Sequence, residues 1–447
     1  MRIHLISIGG AVMHNFALAL HDVGHHVSGS DDAIFEPSKG RLDQHGLLPK
    51  EMGWDAARIT ADIDFIILGM HARQDNPELL KAKELGLPMY SFPAYTFEQS
   101  KDQTRMVVAG SHGKTTTTGM LMHVFDALQK EFDYLVGSQL DGYQRMVQFS
   151  DAPIILIEGD EYLSSPLDLR PKFLHYKPQL AMITGIAWDH INVFPTYANY
   201  VEQFELFMRS MPKGSVCFYN QDDKDLNALA IAIKGQIDVN LKPYGILPYS
   251  TAKEGIVIHF EGKDYPMPWF GKHNVSNVTG AMLMAKEYGI SHVDFIQSMQ
   301  SFGGTARRLE TLYEDSNLTV IRDFAHSPSK LKATTEAVKE QYPNRNVIAV
   351  FELHTFSSLQ KDFLPHYSDC MAKADQAMVY VDHHVFELKK MPALEASAIK
   401  SGFGSPIQVL NSKQALIDAI KSSDLGNTVL LLMSSGSFSD LALDEII

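Results

Sequence analysis

The chain is 447 residues long, and at roughly 150 residues per domain this length predicts about three domains. Its 45% hydrophobic and 21% charged residues are typical of a globular protein and exclude a disordered or fibrous chain. The 39 basic and 53 acidic residues give a net charge of −14, which argues against a nucleic-acid partner, because nucleic-acid binders neutralise phosphates with Lys and Arg. Any anionic ligand therefore needs a locally positive site.

The cysteine content and the hydropathy pattern predict a cytoplasmic protein. Cys217 and Cys370 lie far apart in the sequence and form neither a metal-spaced cluster nor a disulfide framework. No apolar run approaches the roughly 18 residues that a membrane helix needs, so we expect no membrane partner. His4 and the pair Gly9-Gly10 interrupt the apolar N-terminus, which favours a strand, a turn and a helix over a signal peptide.

Apolar runs that alternate with amphipathic stretches predict a parallel α/β unit at the N-terminus. A helix follows the glycine pair, and the alternation ends near Ser100. We therefore predict a Rossmann-like domain over residues 1–100. Its predicted strands are 2–8, 27–29, 64–69 and 88–91.

Two further α/β domains are predicted, which makes the fold class three-domain α/β. A P-loop-type central ATPase domain covers residues 101–303, and a Rossmann-like C-terminal domain covers residues 304–447. Gly303 and Gly304 form the predicted hinge, because glycine pairs end helices and permit positive φ. The predicted strands are 106–110, 154–158 and 180–185, then one that begins at Thr319, and finally 347–351, 376–381 and 428–433.

A glycine-rich loop at the start of the central domain predicts a nucleotide-phosphate site. It follows an apolar strand and precedes a helix, so backbone N–H groups, the helix dipole and the Lys114 ammonium would meet phosphate together. The spacing is shorter than GxxxxGK[ST], which would place its first glycine at Val108. The alternative is a structural turn. The loop reads Gly110-Ser111-His112-Gly113-Lys114-Thr115-Thr116.

Acidic residues and a histidine follow two later strands of the same domain. Glu158, Asp160 and Glu161 come at the carboxyl end of a buried strand, where α/β sites lie and where oxygen ligands can hold Mg²⁺. The alternative is a solvated acidic loop. Asp189-His190 follows the strand 180–185, and on its own His190 indicates no more than a structural histidine.

Three more motifs follow in chain order. Residues 271–277 read Gly-Lys-His-Asn-Val-Ser-Asn, and asparagine can both donate to and accept from adenine. Arg307-Arg308-Leu309-Glu310 comes after the hinge, and a planar guanidinium suits the charge of a transferring phosphoryl group. An arginine pair alone is more often a salt-bridged surface. The last motif is Arg322-Asp323-Phe324-Ala325-His326-Ser327-Pro328.

Taken in order, these motifs resemble those of the Mur ligases, ATP-dependent enzymes that join amino acids or peptides to UDP-N-acetylmuramate. The resemblance covers essentially the whole chain and implies ATP and Mg²⁺. It implies the catalytic residues Lys114, His190, Arg308 and His326, and the metal ligands Thr115, Glu158 and His190. The implied ATP-binding residues are Gly110, Ser111, His112, Gly113, Lys114, Thr115, Thr116, His273, Asn274, Asn277, Arg308 and Asp323. One departure is Gly185, where the family usually has asparagine.

The N-terminal glycine pair leaves two interpretations open. A dehydrogenase would place a dinucleotide on a G-x-G-x-x-G loop, but the full motif is absent, since Ser7, Gly9, Gly10 and Met13 occupy the turn. The resemblance implies a UDP-sugar in this domain instead. The UDP-sugar residues that we expect are Gly9, Gly10, Asp31, His71 and Asn76.

The resemblance also implies the reaction, in which the lactyl carboxylate of UDP-N-acetylmuramate becomes an acyl phosphate and then an amide. Residues 168–176 resemble the members that add the tripeptide L-Ala-γ-D-Glu-meso-diaminopimelate in peptidoglycan recycling, so this peptide is the expected acceptor. The alternative acceptor is L-alanine, used in peptidoglycan synthesis, because the loop 352–357 matches neither type well. A P-loop small-molecule kinase and a non-catalytic UDP-sugar-binding regulator are the alternatives from other classes, and the oligomeric state is open.

Overall fold

The computed structural model describes residues 1–70, 72–305, 307–404 and 406–447, and it confirms the α/β class. In these ranges the strands form four sheets. No helix of the described residues is long and apolar enough to cross a membrane. The chain divides into two compact units. The first unit holds Met1–Ile186, Thr196–Gly245 and Asn277–Met299, and the second holds Ala187–Pro195, Ile246–Ser276 and Gln300–Ile447.

The first sheet has four parallel strands in the order β2-β1-β3-β4. Its first strand ends at Ile6, two residues before the predicted end, because Ser7 has a left-handed φ of 73°. Ser7 thus keeps a backbone conformation that favours glycine. The elements are β1 (Arg2–Ile6), α1 (Ala11–Asp22), β2 (His26–Ser30), α2 (Ser38–Gln44), a 3₁₀ turn (Ala56–Arg58), β3 (Phe65–Leu68), α3 (Pro77–Glu84), β4 (Met89–Ser91) and α4 (Phe92–Gln99).

The second sheet has seven strands in the order β11-β10-β9-β5-β8-β6-β7, and only β7 runs antiparallel to its neighbour among the described residues. Strand β5 lies between β9 and β8, so the carboxyl ends of these three buried strands meet at one edge. The elements are β5 (Thr104–Ala109), α5 (Lys114–Ala127), β6 (Asp133–Leu135), β7 (Val147–Gln148), β8 (Ile154–Gly159), α6 (Phe173–Tyr176), β9 (Leu180–Ile183), α7 (Tyr197–Ser210), β10 (Val216–Asn220), α8 (Lys224–Ile233) and β11 (Asn240–Tyr244).

A three-stranded antiparallel sheet follows, which the sequence analysis did not predict. Gly255 and Gly262, both with φ of 74°, make the tight turns between its strands. A side chain at Gly255 would lie 2.0 Å from the Met267 carbonyl oxygen, so only glycine fits there. The elements are β12 (Tyr249–Thr251), β13 (Ile256–Phe260), β14 (Lys263–Met267), α9 (Lys272–Glu287) and α10 (His292–Met299).

The fourth sheet has six strands in the order β15-β16-β20-β17-β18-β19, all parallel except the edge strand β15. Strands β16, β20 and β17 are almost fully buried, as their apolar runs predict. The elements are β15 (Glu310–Glu314), β16 (Leu318–Asp323), α11 (Pro328–Gln341), β17 (Asn346–Glu352), a 3₁₀ helix (Lys361–Tyr367), β18 (Gln376–Tyr380), α12 (His383–Lys389), α13 (Ala396–Phe403), β19 (Gln408–Leu410), α14 (Lys413–Ser422), β20 (Thr428–Met433) and a 3₁₀ turn (Leu443–Glu445).

Candidate active site

The glycine-rich loop joins β5 to α5, and its two glycines are sterically required. Gly110 has φ of 132°, and a Cβ atom there would lie 2.0 Å from Thr184 Oγ1. Gly113 has φ of 78° and caps α5, and its Cβ would lie 2.6 Å from Asn277 Oδ1. Helix α5 begins at Lys114. The N-terminus of a buried helix therefore faces the loop, which is the geometry that binds phosphate.

Lys114 is held inside this loop by a buried carboxylate. Its Nζ donates to the Gly110 carbonyl oxygen at 2.7 Å and to Glu161 Oε2 at 2.6 Å. The side chain of Glu161 is fully buried, and the Tyr200 hydroxyl donates to its Oε1 at 3.1 Å. Burial disfavours the ammonium, but the charges of Glu161, Asp160 and Glu158 more than offset this effect and raise the pKa of Lys114. Lys114 is therefore a fixed positive charge at the loop.

The sheet order brings two of the predicted metal ligands together. Thr115 Oγ1 donates to Glu158 Oε1 at 2.8 Å, and the Gly137 amide donates to Glu158 Oε2 at 2.8 Å. Among the described residues, no group of three or more His, Cys, Asp or Glu side chains is arranged to hold a metal ion. Mg²⁺ in phosphate-transfer sites commonly takes one or two protein oxygens and completes its shell with phosphate and water. The Thr115–Glu158 pair fits that pattern.

Residues 168–176, which suggested the acceptor, pack against the acidic motif. Lys172 forms an ion pair with Asp160, and its Nζ lies 5.6 Å from the ring centroids of Phe92 and Tyr162. Phe173 stacks on Phe207 with centroids 4.8 Å apart. The contacts of Lys172 and Phe173 therefore support the fold around the acidic motif.

A larger side chain at Gly185 would crowd two neighbouring side chains. A Cβ atom there would lie 2.9 Å from Asp223 Oδ2 and 3.1 Å from His112 Cε1. Asp223 instead accepts a hydrogen bond from the Ile186 amide at 2.6 Å. In this chain the Asp223 carboxylate thus supplies the polar contact of the loop after β9.

In the second unit, the buried carboxylate of Asp189 lies close to a lysine and two histidines. Asp189 Oδ1 accepts from the His190 amide at 2.8 Å, and Asp189 Oδ2 lies 3.5 Å from Lys330 Nζ and 3.9 Å from His326 Nε2. Burial raises the pKa of Asp189, but Lys330, His190 and His326 outweigh it and hold this pKa well below its usual range. Lys330 was not predicted from the sequence. Its position on the first turn of α11, four residues after His326, was the available signal.

His326 is a neutral imidazole with an assigned orientation. Its Nδ1 lies 2.8 Å from the Phe324 carbonyl oxygen and donates to it, and its Nε2 accepts from Lys330 Nζ at 3.2 Å. Burial, followed by the charge of Lys330, lowers the pKa of His326 to about 3. The ring therefore carries no charge at neutral pH, and Lys330 supplies the positive charge beside it.

Three of the predicted nucleotide residues lie in one neighbourhood of the second unit. The Arg308 guanidinium lies 5.0 Å from the Phe324 ring centroid. Asp323 accepts hydrogen bonds from the Leu309 and Ala325 amides, both at 2.8 Å. Burial lowers the pKa of His273. The charge of Asp323 acts to raise this pKa and the charge of Arg308 acts to lower it, but the effect of burial is the largest. Arg308 and Asp323 therefore lie close enough to His273 for their charges to act on it.

The predicted adenine residues Asn274 and Asn277 differ in what they contact. Asn274 Nδ2 donates to the Phe270 carbonyl oxygen at 2.8 Å, within the segment that leads into α9. Asn277 lies one turn further along the helix and borders Gly113 of the phosphate loop. Asn277 therefore contacts the loop. Hydrogen bonding of adenine by Asn274 or Asn277 stays a prediction.

Two of the predicted UDP-sugar residues, Gly9 and Gly10, lie in the turn after β1, and Asp31 contacts this turn from the end of β2. Asp31 Oδ2 accepts from the Gly9 amide at 2.8 Å, and a Cβ at Gly9 would lie 2.8 Å from Ile34 Cγ1. Gly10 caps α1. Asn76 caps α3, because its side-chain oxygen accepts from the Glu78 and Leu79 amides. His71 lies outside the described residues, and contacts of the other four with a UDP-sugar stay predictions.

The substitution Asp31→Asn should stabilise the protein relative to wild type, and this difference in stability should grow as the pH rises from about 4 to 7. Burial raises the pKa of Asp31 from 3.8 to about 6, so the native state binds more protons than the unfolded chain between these values. Native stability then falls as the pH rises through this window, by roughly 3 kcal/mol for about two pKa units. Melting temperatures of both proteins across this range check the effect, and a constant difference would contradict it.

Comparisons with known proteins agree with this geometry. Three family profiles match the chain in order: "Mur ligase family, catalytic domain" over residues 2–98, "Mur ligase middle domain" over 108–285 and "Mur ligase, glutamate ligase domain" over 307–436. The UDP-N-acetylmuramate–L-alanine ligase of Limosilactobacillus reuteri is 31% identical over 390 residues, which is 84% of each chain.

A second type of relative is similar over nearly the full length. The UDP-N-acetylmuramate–L-alanyl-γ-D-glutamyl-meso-2,6-diaminoheptandioate ligase of Haemophilus influenzae is 26% identical over 449 residues, 98% of this chain and 97% of its own. The solved murein peptide ligase of Psychrobacter arcticus shares the fold, with a TM-score of 0.65, 24% identity and coverage of 98% of this chain and 97% of its own. The protein belongs to the Mur ligase family, the ATP-dependent amide-forming ligases of peptidoglycan synthesis and recycling.

Proposed function

We propose that this protein joins UDP-N-acetylmuramate to the tripeptide L-Ala-γ-D-Glu-meso-diaminopimelate, a peptidoglycan-recycling reaction. The observation that carries the proposal is the extent of similarity: the match to the Haemophilus influenzae peptide ligase spans 98% of this chain, whereas the match to the Limosilactobacillus reuteri alanine ligase spans 84%. L-Alanine remains the second candidate acceptor, because the alanine ligase is more identical over the part that it covers, at 31% against 26%.

The proposed mechanism begins with activation of the sugar's lactyl carboxylate by ATP. Lys114, already positive and fixed, neutralises the γ-phosphate, and Thr115 and Glu158 would hold Mg²⁺, which supplies charge neutralisation at the phosphates when bound. The guanidinium of Arg308 stabilises the charge of the transferring phosphoryl group. The carboxylate attacks the γ-phosphorus, ADP leaves, and an acyl phosphate forms.

Amide formation follows when the acceptor amine attacks the acyl carbon and inorganic phosphate leaves. In the proposal, the Lys330 ammonium stabilises the departing phosphate, while the neutral imidazole of His326 keeps Lys330 oriented through Nε2. Asp189 holds the same ammonium from the other side. Positioning and electrostatic stabilisation thus supply most of the rate.

A mass-spectrometric product assay tests the acceptor. The protein is incubated with ATP, Mg²⁺, UDP-N-acetylmuramate and either the tripeptide or L-alanine. We expect an amide product and ADP with the tripeptide and no amide with L-alanine. An amide with L-alanine alone would assign the protein to the second candidate function.

The role of His190 has its own test. His190 has a left-handed φ of 55°, a conformation that asparagine also tolerates, so His190→Asn isolates the imidazole from the backbone. We expect activity to fall and the Mg²⁺ concentration for half-maximal activity to rise at least about tenfold, as for lost metal-site partners. An unchanged Mg²⁺ titration would remove His190 from the metal site.

A further inference from the structure

A cavity in the second unit is lined by Arg307 of the arginine motif but not by Arg308. Its volume is about 340 Å³, and it is bounded by the segment that leads into β15, by β16, and by the segment after β20. Its apolar walls include Leu432 and Phe438, both nearly fully buried. Its charged lining residues are Arg307, Arg322 and Asp440. Its lining is about evenly polar and apolar, and its volume lies at the lower end of the range of small-molecule sites.

Among the residues that the structure describes, two of these three charges form no ion pair, although the charge of Arg307 also acts on Glu310. Arg322 Nη2 lies 2.9 Å from Glu310 Oε2 and is paired. The Arg307 guanidinium and the Asp440 carboxylate, in contrast, form no ion pair with any residue that the structure describes. The cavity therefore offers one unpaired cation and one unpaired anion, which together complement a zwitterion.

The backbone on both sides of the cavity is held in an unusual conformation. Arg307 has φ of 58°, and Phe438, Ser439 and Asp440 have φ values of 53°, 55° and 54° in succession, although none is glycine. Such conformations persist only where the surroundings enforce them, and they concentrate at functional sites. Here Glu352, which is buried, accepts from the Phe438 amide at 3.0 Å.

A second carboxylate fixes the middle of the same turn. Ser439 Oγ donates to Asp382 Oδ2 at 2.6 Å, and the Tyr380 hydroxyl lies 2.7 Å from Ser439 Oγ. Lys413 Nζ donates to the Asp440 carbonyl oxygen at 3.0 Å. Side chains from β17, from β18 and the loop after it, and from α14 thus hold Phe438–Asp440 in the position where Asp440 lines the cavity.

We propose that this cavity binds the zwitterionic end group of the acceptor peptide, with its carboxylate on Arg307, its ammonium on Asp440 and its methylene stem along Leu432 and Phe438. The inference rests on the proposed function, since it assigns the far end of the tripeptide acceptor to a site. Meso-diaminopimelate carries such an α-amino acid group at the end of a methylene chain. Free L-alanine has no such stem.

The test combines variants of the protein with variants of the peptide. Arg307→Gln should raise the KM for the tripeptide by about 10- to 100-fold, the range for losing a hydrogen bond to a charged group, with the loss in KM rather than kcat. A tripeptide with L-lysine at its third position lacks the distal carboxylate, so its KM with the wild-type protein should be raised by a similar factor. Arg307→Gln should then raise the KM for this lysine peptide little further. Asp440→Asn should behave in the same way toward a peptide that lacks the distal amine.

The possible results separate this inference from the proposed function. Wild-type protein that forms no amide with the tripeptide would overturn the proposed function and this inference with it. Wild-type protein that ligates the tripeptide, with an unchanged KM in Arg307→Gln, would overturn the cavity assignment alone. A rise in the KM for ATP instead of the peptide, or additive losses for the variant and the lysine peptide, would also overturn it.

Discussion

Replacing Lys114 with alanine should nearly abolish ATP turnover, with a fall in ADP release of about 10²- to 10³-fold. Lys114 is the fixed charge of the phosphate loop, hydrogen-bonded to Gly110 and paired with Glu161, and removal of one preorganised group that stabilises transition-state charge commonly costs about 10²- to 10³-fold. The first phosphoryl transfer then stops, so no amide forms. Coupled detection of ADP measures the effect, while UDP-sugar binding by calorimetry should be largely retained.

The single variant has a folding consequence that needs a matched control. Without Lys114, the fully buried Glu161 loses its ion-pair partner, and an uncompensated buried charge typically destabilises by about 3–5 kcal/mol. The double variant Lys114→Ala with Glu161→Gln removes both charges and should recover most of the melting temperature without recovering turnover. Normal turnover in either variant would contradict the ATP-site assignment.

Replacing Arg308 with alanine should lower kcat about 10³-fold while leaving the fold intact. A guanidinium that stabilises phosphoryl transfer contributes about 10³- to 10⁵-fold in enzymes that use one. Arg308 lies over the Phe324 ring, which is a weak contact of about 0.5–1 kcal/mol at exposed sites, so its loss changes stability little. Single-turnover formation of ADP separates this chemical step from product release.

Arg308→Lys is the matched control for charge. Lysine keeps the positive charge but loses the planar fork that can pair with two phosphate oxygens, so we expect it to recover only part of the rate. Full activity in Arg308→Lys would show that charge alone suffices, and full activity in Arg308→Ala would exclude Arg308 from the reaction.

Motifs whose chemistry depends on local geometry were predictable from the sequence. A strand, a glycine turn, Lys114 and a helix specify a phosphate loop because the glycines at 110 and 113 need conformations that other residues resist. The buried strands β5, β8 and β9 were also expected, because continuous apolar runs mark parallel strands covered on both faces. The α/β class followed from the same runs.

Long-range order was not predictable in this way. No local pattern states that β5 lies between β9 and β8, yet this order brings Thr115 to Glu158. Lys330 was missed because a lysine on the first turn of a helix is usually solvated, and its partner Asp189 is far away in sequence. The sheet of β12–β14 was missed because its short strands carry polar residues and a proline, and therefore give no continuous apolar signal.

The contacts of Thr184 and Asn277 with the glycine loop have a consequence for nucleotide exchange. Both side chains stand where a Cβ at Gly110 or Gly113 would be, so contacts within the protein fix the shape of the loop. A site that is already shaped loses little conformational entropy when its ligand arrives. We therefore expect ATP to replace ADP without any rebuilding of the loop.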